Sequence, residues 1–302
     1  MDGILPIWKE KGMTSFDCVF KLRKILKMKK IGHSGTLDPE VDGVLPICLG
    51  KGTKVVEYLL ASAKQYKGQI TLGFATETED AHGDVIEKTP VKELISTEVI
   101  DQAMKEMVGE LKQIPPMYSA VKVNGRRLYE YARKGEEVER PVRTVQIYAF
   151  DRTSEPVFDE VNQILSWHFE VTCSKGTYIR TLAVDLGRNL GYAAHMSQLT
   201  RIKSGLYKPE DCMTIDEVRE AVEAGTIEEF IQPVETALVD FDKMQLPSAV
   251  EKKVANGSLL EAKELPLGEL QLPIALYQEE RVVAIYDQHP SKKGMLKPIK
   301  MF

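Results

Sequence analysis

The 302-residue chain has little of what would tie it to a membrane, a metal or an oxidising compartment. No apolar run approaches the ~18 residues needed to cross a bilayer, and the opening MDGILPIWKEKG has no charged n-region followed by an apolar h-region. Only four cysteines occur, at 18, 48, 173 and 212, with no C-x-x-C pair and no dense spacing. They read as reduced, mostly buried thiols of a cytoplasmic protein. The five histidines (33, 82, 168, 195 and 289) form no H-E-x-x-H and have no cysteine partners at ligand spacing, so no metal site is expected. Nucleotide loops are also missing. If Gly50-Lys51 is aligned as the GK pair of a P-loop, the first glycine falls on Leu45 and the Ser/Thr on Gly52, and no G-x-G-x-x-G follows a strand.

What is present suits a folded chain: 43% hydrophobic and 28% charged residues exclude long disorder. The net charge of −5 conceals an uneven distribution. Counting Lys and Arg against Asp and Glu gives +4 for residues 1–54, −7 for 77–110, +4 for 111–143 and +5 for 175–208. It then gives −12 for 209–280 and +4 for the last 22 residues. Basic blocks gathered on one face would make a polyanion site; left scattered, they are ordinary solvated surface.

Periodicity predicts a helix over 14–29 with Phe16, Val19, Phe20 and Leu26 on one face, and cations at 21, 23, 24, 27, 29 and 30 on the other. A glycine-rich loop follows over 32–43, then a strand from Val44 and a short helix over 53–61. Alternation over 66–74 puts Tyr66 on the face of Ile70 and Leu72. Residues 97–108 read as a helix, 164–173 as a strand, and a further helix starts near Thr177. Thr214–Glu217 and Ser248–Glu251 both have the sequence of a capping box. Strands and helices lack a βαβ rhythm, which predicts an α+β fold with a mixed, largely antiparallel sheet. The texture changes between 238 and 246, and the short strands IALY and RVVAIY follow, so a small β-rich second domain is expected over 245–302.

Asp38 is the densest candidate for chemistry. It precedes Pro39, which keeps it out of a helix, and glycines at 32, 35 and 43 let backbone approach another surface. Such a carboxylate is a local turn cap or a nucleophile or base at a cleft, and Asp42 in the same loop is the alternative candidate.

The run GHSGTLDPEVDGVLPICLGKGTK (32–54) resembles the catalytic motif of the bacterial tRNA pseudouridine synthases that modify uridine 55 in the T-loop. KQYKGQITLGFATETEDAHGD (64–84), QIPPMYSAVKVNGRRLYEYARKG (113–135) and CSKGTYIRTLAVDLG (173–187) resemble the same family in the same order. The resemblance implies a catalytic domain over 1–240 with a thumb-like insertion at 113–143, and a PUA-like RNA-binding domain over 245–302. It implies Asp38 as the catalytic aspartate, Tyr66 as a tyrosine packing on the target base and Arg180 as the arginine paired with the aspartate. His33 would support the RNA, while Lys54, Tyr178 and Leu199 would line or border the pocket. The implied substrate is the T-arm of tRNA, handled by a cytoplasmic monomer without cofactor or protein partner. The catalytic subunit of a guide-RNA pseudouridylation particle shares the aspartate motif, but is expected to carry more N-terminal sequence and a fuller basic C-terminal region. Because Asp38, Tyr66 and Arg180 all precede the boundary, loss of 245–302 is expected to weaken tRNA affinity more than turnover. If IALY and VVAIY instead pack on the catalytic core, the same loss would cost stability.

Overall fold

A computed structural model describes all 302 residues. The chain opens with strand β1 (Gly3–Lys9), helix α1 (Ser15–Ile25), β2 (Ile31–His33), β3 (Asp42–Leu49), α2 (Val56–Ala61) and β4 (Lys64–Leu72). A hairpin, β5 (Phe74–Thr76) and β6 (Val85–Lys88), leads to α3 (Thr97–Glu106) and β7 (Gly109–Gln113). The minimal hairpin β8 (Lys122–Val123) and β9 (Arg126–Arg127) turns through Asn124 and Gly125, both at positive φ, as an Asn-Gly turn requires. Helix α4 (Leu128–Ala132), β10 (Arg143–Arg152), β11 (Val157–Asp159), β12 (Ile164–Cys173), α5 (Ile179–Asn189), β13 (Ala194–Ser204) and α6 (Ile215–Ala224) follow. The chain closes with β14 (Asp242–Gln245), α7 (Glu251–Ala255), β15 (Leu260–Glu261), β16 (Ile274–Gln278), β17 (Arg281–Gln288) and β18 (Met295–Met301).

Nine strands form one mixed sheet in the order β1-β3-β13-β4-β12-β10-β7, with β2 on β3 and β11 on β12. Its pairings are antiparallel except where β13 meets β3 through Thr200–Asp42 and Arg201–Gly43. This bears out the expected α+β class. Gly43 makes the parallel contact possible: at φ +126° a Cβ there would sit 2.3 Å from the carbonyl oxygen of Arg201. The sheet and α3 and α5 enclose one core around Trp167, Phe169, Ile147 and Leu182, all at most 1% exposed.

Residues 242–302 carry a five-stranded sheet, β14-β16-β17-β18-β15. It packs against the first body. Ala275, Tyr277, Val282 and Ile285 share a core with Ile4, Val44, Cys48, Val55, Leu59, Tyr207 and Leu238. Lys300 reaches Glu57 at 2.7 Å across the same junction.

Two expectations fail locally. Phe16 and Phe20 are 61% and 49% exposed; the buried face of α1 is Ser15, Cys18, Val19 and Leu22. The helix also ends at Ile25, since Lys27 takes φ +51°. The Ser248–Glu251 box does not form, because Pro247 occupies the cap position and a 3₁₀ turn over Ser248–Val250 precedes α7. The Thr214–Glu217 box forms in full, with both the Thr214 hydroxyl and its N–H donating to the Glu217 carboxylate.

Candidate active site

The Asp38 loop is bolted down from three sides. Asp38-Pro39-Glu40-Val41 is a turn closed by Val41 N–H on the Asp38 carbonyl, with proline at the position that suits its fixed φ. The Ser15 hydroxyl, at the first position of α1, accepts from Leu37 N–H at 2.9 Å. Lys9, at the end of β1, is fully buried, and its ammonium donates to the carbonyls of Glu10, Met13 and Pro39 at 3.0, 2.7 and 3.2 Å. A buried ammonium is tolerated only when its donors are taken in this way.

The Asp38 carboxylate takes no N–H of its own loop and is therefore not a turn cap. It meets Arg180, whose Nη2 lies 3.0 Å from Oδ2. The same guanidinium donates to the Thr78 carbonyl at 2.9 Å and the Tyr118 carbonyl at 2.8 Å, with Asp80 at 3.8 Å. A cation in the first turn of a helix opposes the helix dipole. At Arg180 that cost is offset by acceptors from three separate segments, which a planar fork of donors can serve at once. Asp42, the alternative, is engaged elsewhere: its carboxylate accepts from the Thr200 hydroxyl at 2.6 Å.

Asp38 opens onto a cavity of about 820 Å³ that also holds Tyr66, Tyr178, Arg180 and Leu199. Tyr66 lies against the main core, and burial raises its phenol above the ordinary range, so it stays protonated at neutral pH. Tyr178 caps α5 and is clamped by the buried side chain of Gln113, which accepts from its N–H at 3.0 Å and donates to its carbonyl at 3.2 Å. Burial raises its phenol too.

Two expected site residues stand outside this cavity. The Lys54 ammonium donates to the Met301 carbonyl and so ties the turn after β3 to the last strand. His33 lies on β2, half-buried, just before the loop; burial lowers its pKa and its Nδ1 has no partner. Three buried cations were not foreseen: Lys9, Lys64 and Arg201. Lys64 shares the Tyr66 face of β4, two residues away, and donates to the Leu59, Leu60 and Ser62 carbonyls at the end of α2. Arg201 pairs across the strands with Tyr66, donates from Nε to the Val44 carbonyl at 2.7 Å and lines the cavity. The strand alternation that singles out Tyr66 also marks Lys64; nothing comparable marks Lys9 or Arg201.

Comparison with known proteins gives matches along the whole chain. Residues 23–179 match the TruB family pseudouridylate synthase N-terminal domain, and 180–239 match the tRNA pseudouridylate synthase B C-terminal domain. Among curated relatives, tRNA pseudouridine synthase B of Limosilactobacillus reuteri is 52% identical and that of Halalkalibacterium halodurans 50%. Both alignments cover all of this chain, and 99% and 97% of those proteins. Among solved structures, a chain of a Cbf5-Nop10-Gar1 complex superposes with a TM-score of 0.70 at 26% identity, covering 99% of this chain and 84% of that one. With a family model over more than half its length, relatives at half identity along its whole extent and an arginine-bound aspartate where the motif places one, the chain belongs to the TruB family of pseudouridylate synthases.

Proposed function

We propose that this protein isomerises uridine 55 in the T-loop of tRNA to pseudouridine, with Asp38 as the catalytic carboxylate. The observation that carries the reading is the Asp38–Arg180 pair at the mouth of a cavity with a tyrosine and a leucine in its wall. The reaction balances without a co-reactant. The C1′–N1 bond breaks, a C1′–C5 bond forms, C5 loses a proton and N1 gains one. Neither electrons nor a group are transferred from outside, so the chemistry calls for no cofactor or metal.

A base within a folded T-arm is stacked, so it must be turned out to reach Asp38. Tyr66 and Leu199 then offer an aromatic and an apolar surface for the uracil. Arg180 directs the carboxylate, and its bond to the Tyr118 carbonyl ties the site to the 113–143 insertion, which acts as the thumb over the T-arm. His33 supports the RNA at the entrance. Residues 1–240 act as the catalytic domain and 245–302 as a PUA-like domain, in a cytoplasmic monomer that needs no protein partner. Lys54 acts by joining these two parts.

The test uses tRNA transcripts tritiated at uridine C5, whose label is released as pseudouridine forms. Wild-type protein should release one label per tRNA, and a transcript with cytidine at 55 should release none. Asp38→Asn should abolish release while tRNA affinity stays within about tenfold, roughly 1.4 kcal/mol. Release from the cytidine-55 transcript would move the target, and turnover near wild type in Asp38→Asn would take the chemistry away from this residue.

A further inference from the structure

The exposed aromatic stripe of α1 has no place in the cavity or in any core. Phe16 and Phe20 are 61% and 49% exposed, and with Arg23 they follow i, i+4, i+7 spacing along one stripe of the helix. About 6 Å of helix separates the two phenylalanines. The stripe faces a defined direction, because Arg23 Nη2 donates to the Ile31 carbonyl at 3.2 Å, at the start of the strand that leads into the Asp38 loop. The other end of the helix is fixed through Ser15 and Leu37. The rings therefore stand in a rigid relation to Asp38.

Their surroundings are strongly cationic. Lys21, Lys24, Lys27, Lys29 and Lys30 are all exposed, and the Lys24 ammonium lies 4.4 Å from the centroid of the Phe20 ring. The one acid of the helix, Asp17, is engaged in the capping box with Thr14. A second copy docking face to face through the same patch would bring like charge against like charge. A phosphate backbone with an unpaired base supplies what is missing: negative charge for the lysines and a flat π-face for the rings.

We propose that Phe16 and Phe20 form a stacking platform for an unpaired base of tRNA other than the flipped uridine, with the surrounding lysines holding the adjoining phosphates. This rests on the reading of tRNA as the substrate. It adds a second point of base recognition, outside the catalytic cavity and linked to it through Ser15 and Arg23.

The experiment measures tRNA affinity by filter binding for the full chain and two double variants. Phe16→Leu/Phe20→Leu keeps apolar bulk and removes the rings; Phe16→Tyr/Phe20→Tyr keeps them. A stacked base is worth about fivefold to somewhat over a hundredfold in affinity. The leucine pair should bind at least about fivefold more weakly, with the loss appearing in KM, and the tyrosine pair should match wild type. Leucine-pair binding within twofold of wild type overturns the proposal. So does an equal loss in both pairs, which would show a general disturbance of the helix, or a wild-type dimer in sedimentation that the leucine pair dissolves. Pseudouridine yield of the wild type on the same tRNA separates the two readings. No yield sinks the isomerase assignment, whereas full yield with ring-insensitive affinity sinks the platform alone.

Discussion

Removing residues 242–302 should unfold or loosen what remains, although no residue of the Asp38 cavity is lost. The C-terminal sheet covers Ile4, Val44, Cys48, Val55, Leu59, Tyr207 and Leu238 with Ala275, Tyr277, Val282 and Ile285. Full burial of a large apolar side chain contributes roughly 1.5–3 kcal/mol, so re-exposing half of that burial over seven residues costs roughly 5–10 kcal/mol. Whole-domain stabilities are only about 5–15 kcal/mol. A milder version keeps the chain intact: Ile285→Ala, at a fully buried position of this junction, should cost about 2–5 kcal/mol. At about 2.1 cal/mol/K per residue, 302 residues give an unfolding entropy near 0.6 kcal/mol/K, so Tm should fall by about 3–8 °C. Differential scanning calorimetry on both proteins, with size exclusion of the truncated chain, reads these effects. A truncated chain that is monomeric and melts sharply within about 3 °C of wild type would refute the shared-core argument, and the tail would then be an RNA-binding appendage alone.

Arg180→Lys keeps the charge but cannot serve Asp38, Thr78 and Tyr118 together; losing two charge-assisted bonds at about 1.5–3 kcal/mol each should lower kcat by about 10²–10⁴. Single-turnover tritium release measures this, and a loss below about tenfold would mean that charge alone suffices. Gly43→Ala should yield insoluble or strongly destabilised protein, since the new Cβ falls 2.3 Å from backbone oxygen; a soluble variant with wild-type Tm would show that β3 and β13 can separate there. His195 is buried against the Phe74 carbonyl, and burial lowers its pKa from the ordinary value. The unfolded chain therefore binds a proton that the folded chain refuses, and stability present above about pH 6.5 is lost as pH falls below it, by at most about 1.4 kcal/mol per pH unit. Urea unfolding at pH 7.5 and 5.5 should show a smaller acid loss for His195→Gln than for wild type; equal losses would assign the acid sensitivity to other groups.

The sequence was most legible where a local rule and a tertiary need coincide. The strand over 164–173 matches β12 residue for residue because its apolar side chains alternate, with Leu165, Trp167, Phe169, Val171 and Cys173 buried on the core face and Ser166, His168 and Glu170 on the other. The Thr214 cap forms because nothing competes for it. The Ser248 cap fails because Pro247 sets the preceding backbone and the turn tightens to 3₁₀. In α1, a helical period identifies the helix but not which arc faces inward. Ser15 and Cys18 are buried because the Asp38 loop and β3 lie on that side, and the larger phenylalanines are left outside. That information is in the partners of the helix, not in the helix.

The candidate site divides along the same line. Asp38, Tyr66 and Arg180 are legible through their motif, but what holds them is not. Three of the holding groups, Lys9, Lys64 and Arg201, are cations inside the protein, where sequence reasoning would place them in solvent. Each is admitted for a reason that only the folded chain supplies. Lys9 and Lys64 each gather three carbonyls that turns and a helix end bring together, and Arg201 reaches across to the Val44 carbonyl at the point where β3 and β13 run parallel. Arg180 shows the same logic in the open. A helix dipole argues against a cation at that position, and only the arrival of Thr78, Tyr118 and Asp38 from distant segments reverses the sign. A residue that breaks a local rule is thus informative here because its compensation comes from elsewhere in the chain. At Arg180 the compensating group is the carboxylate assigned to the chemistry.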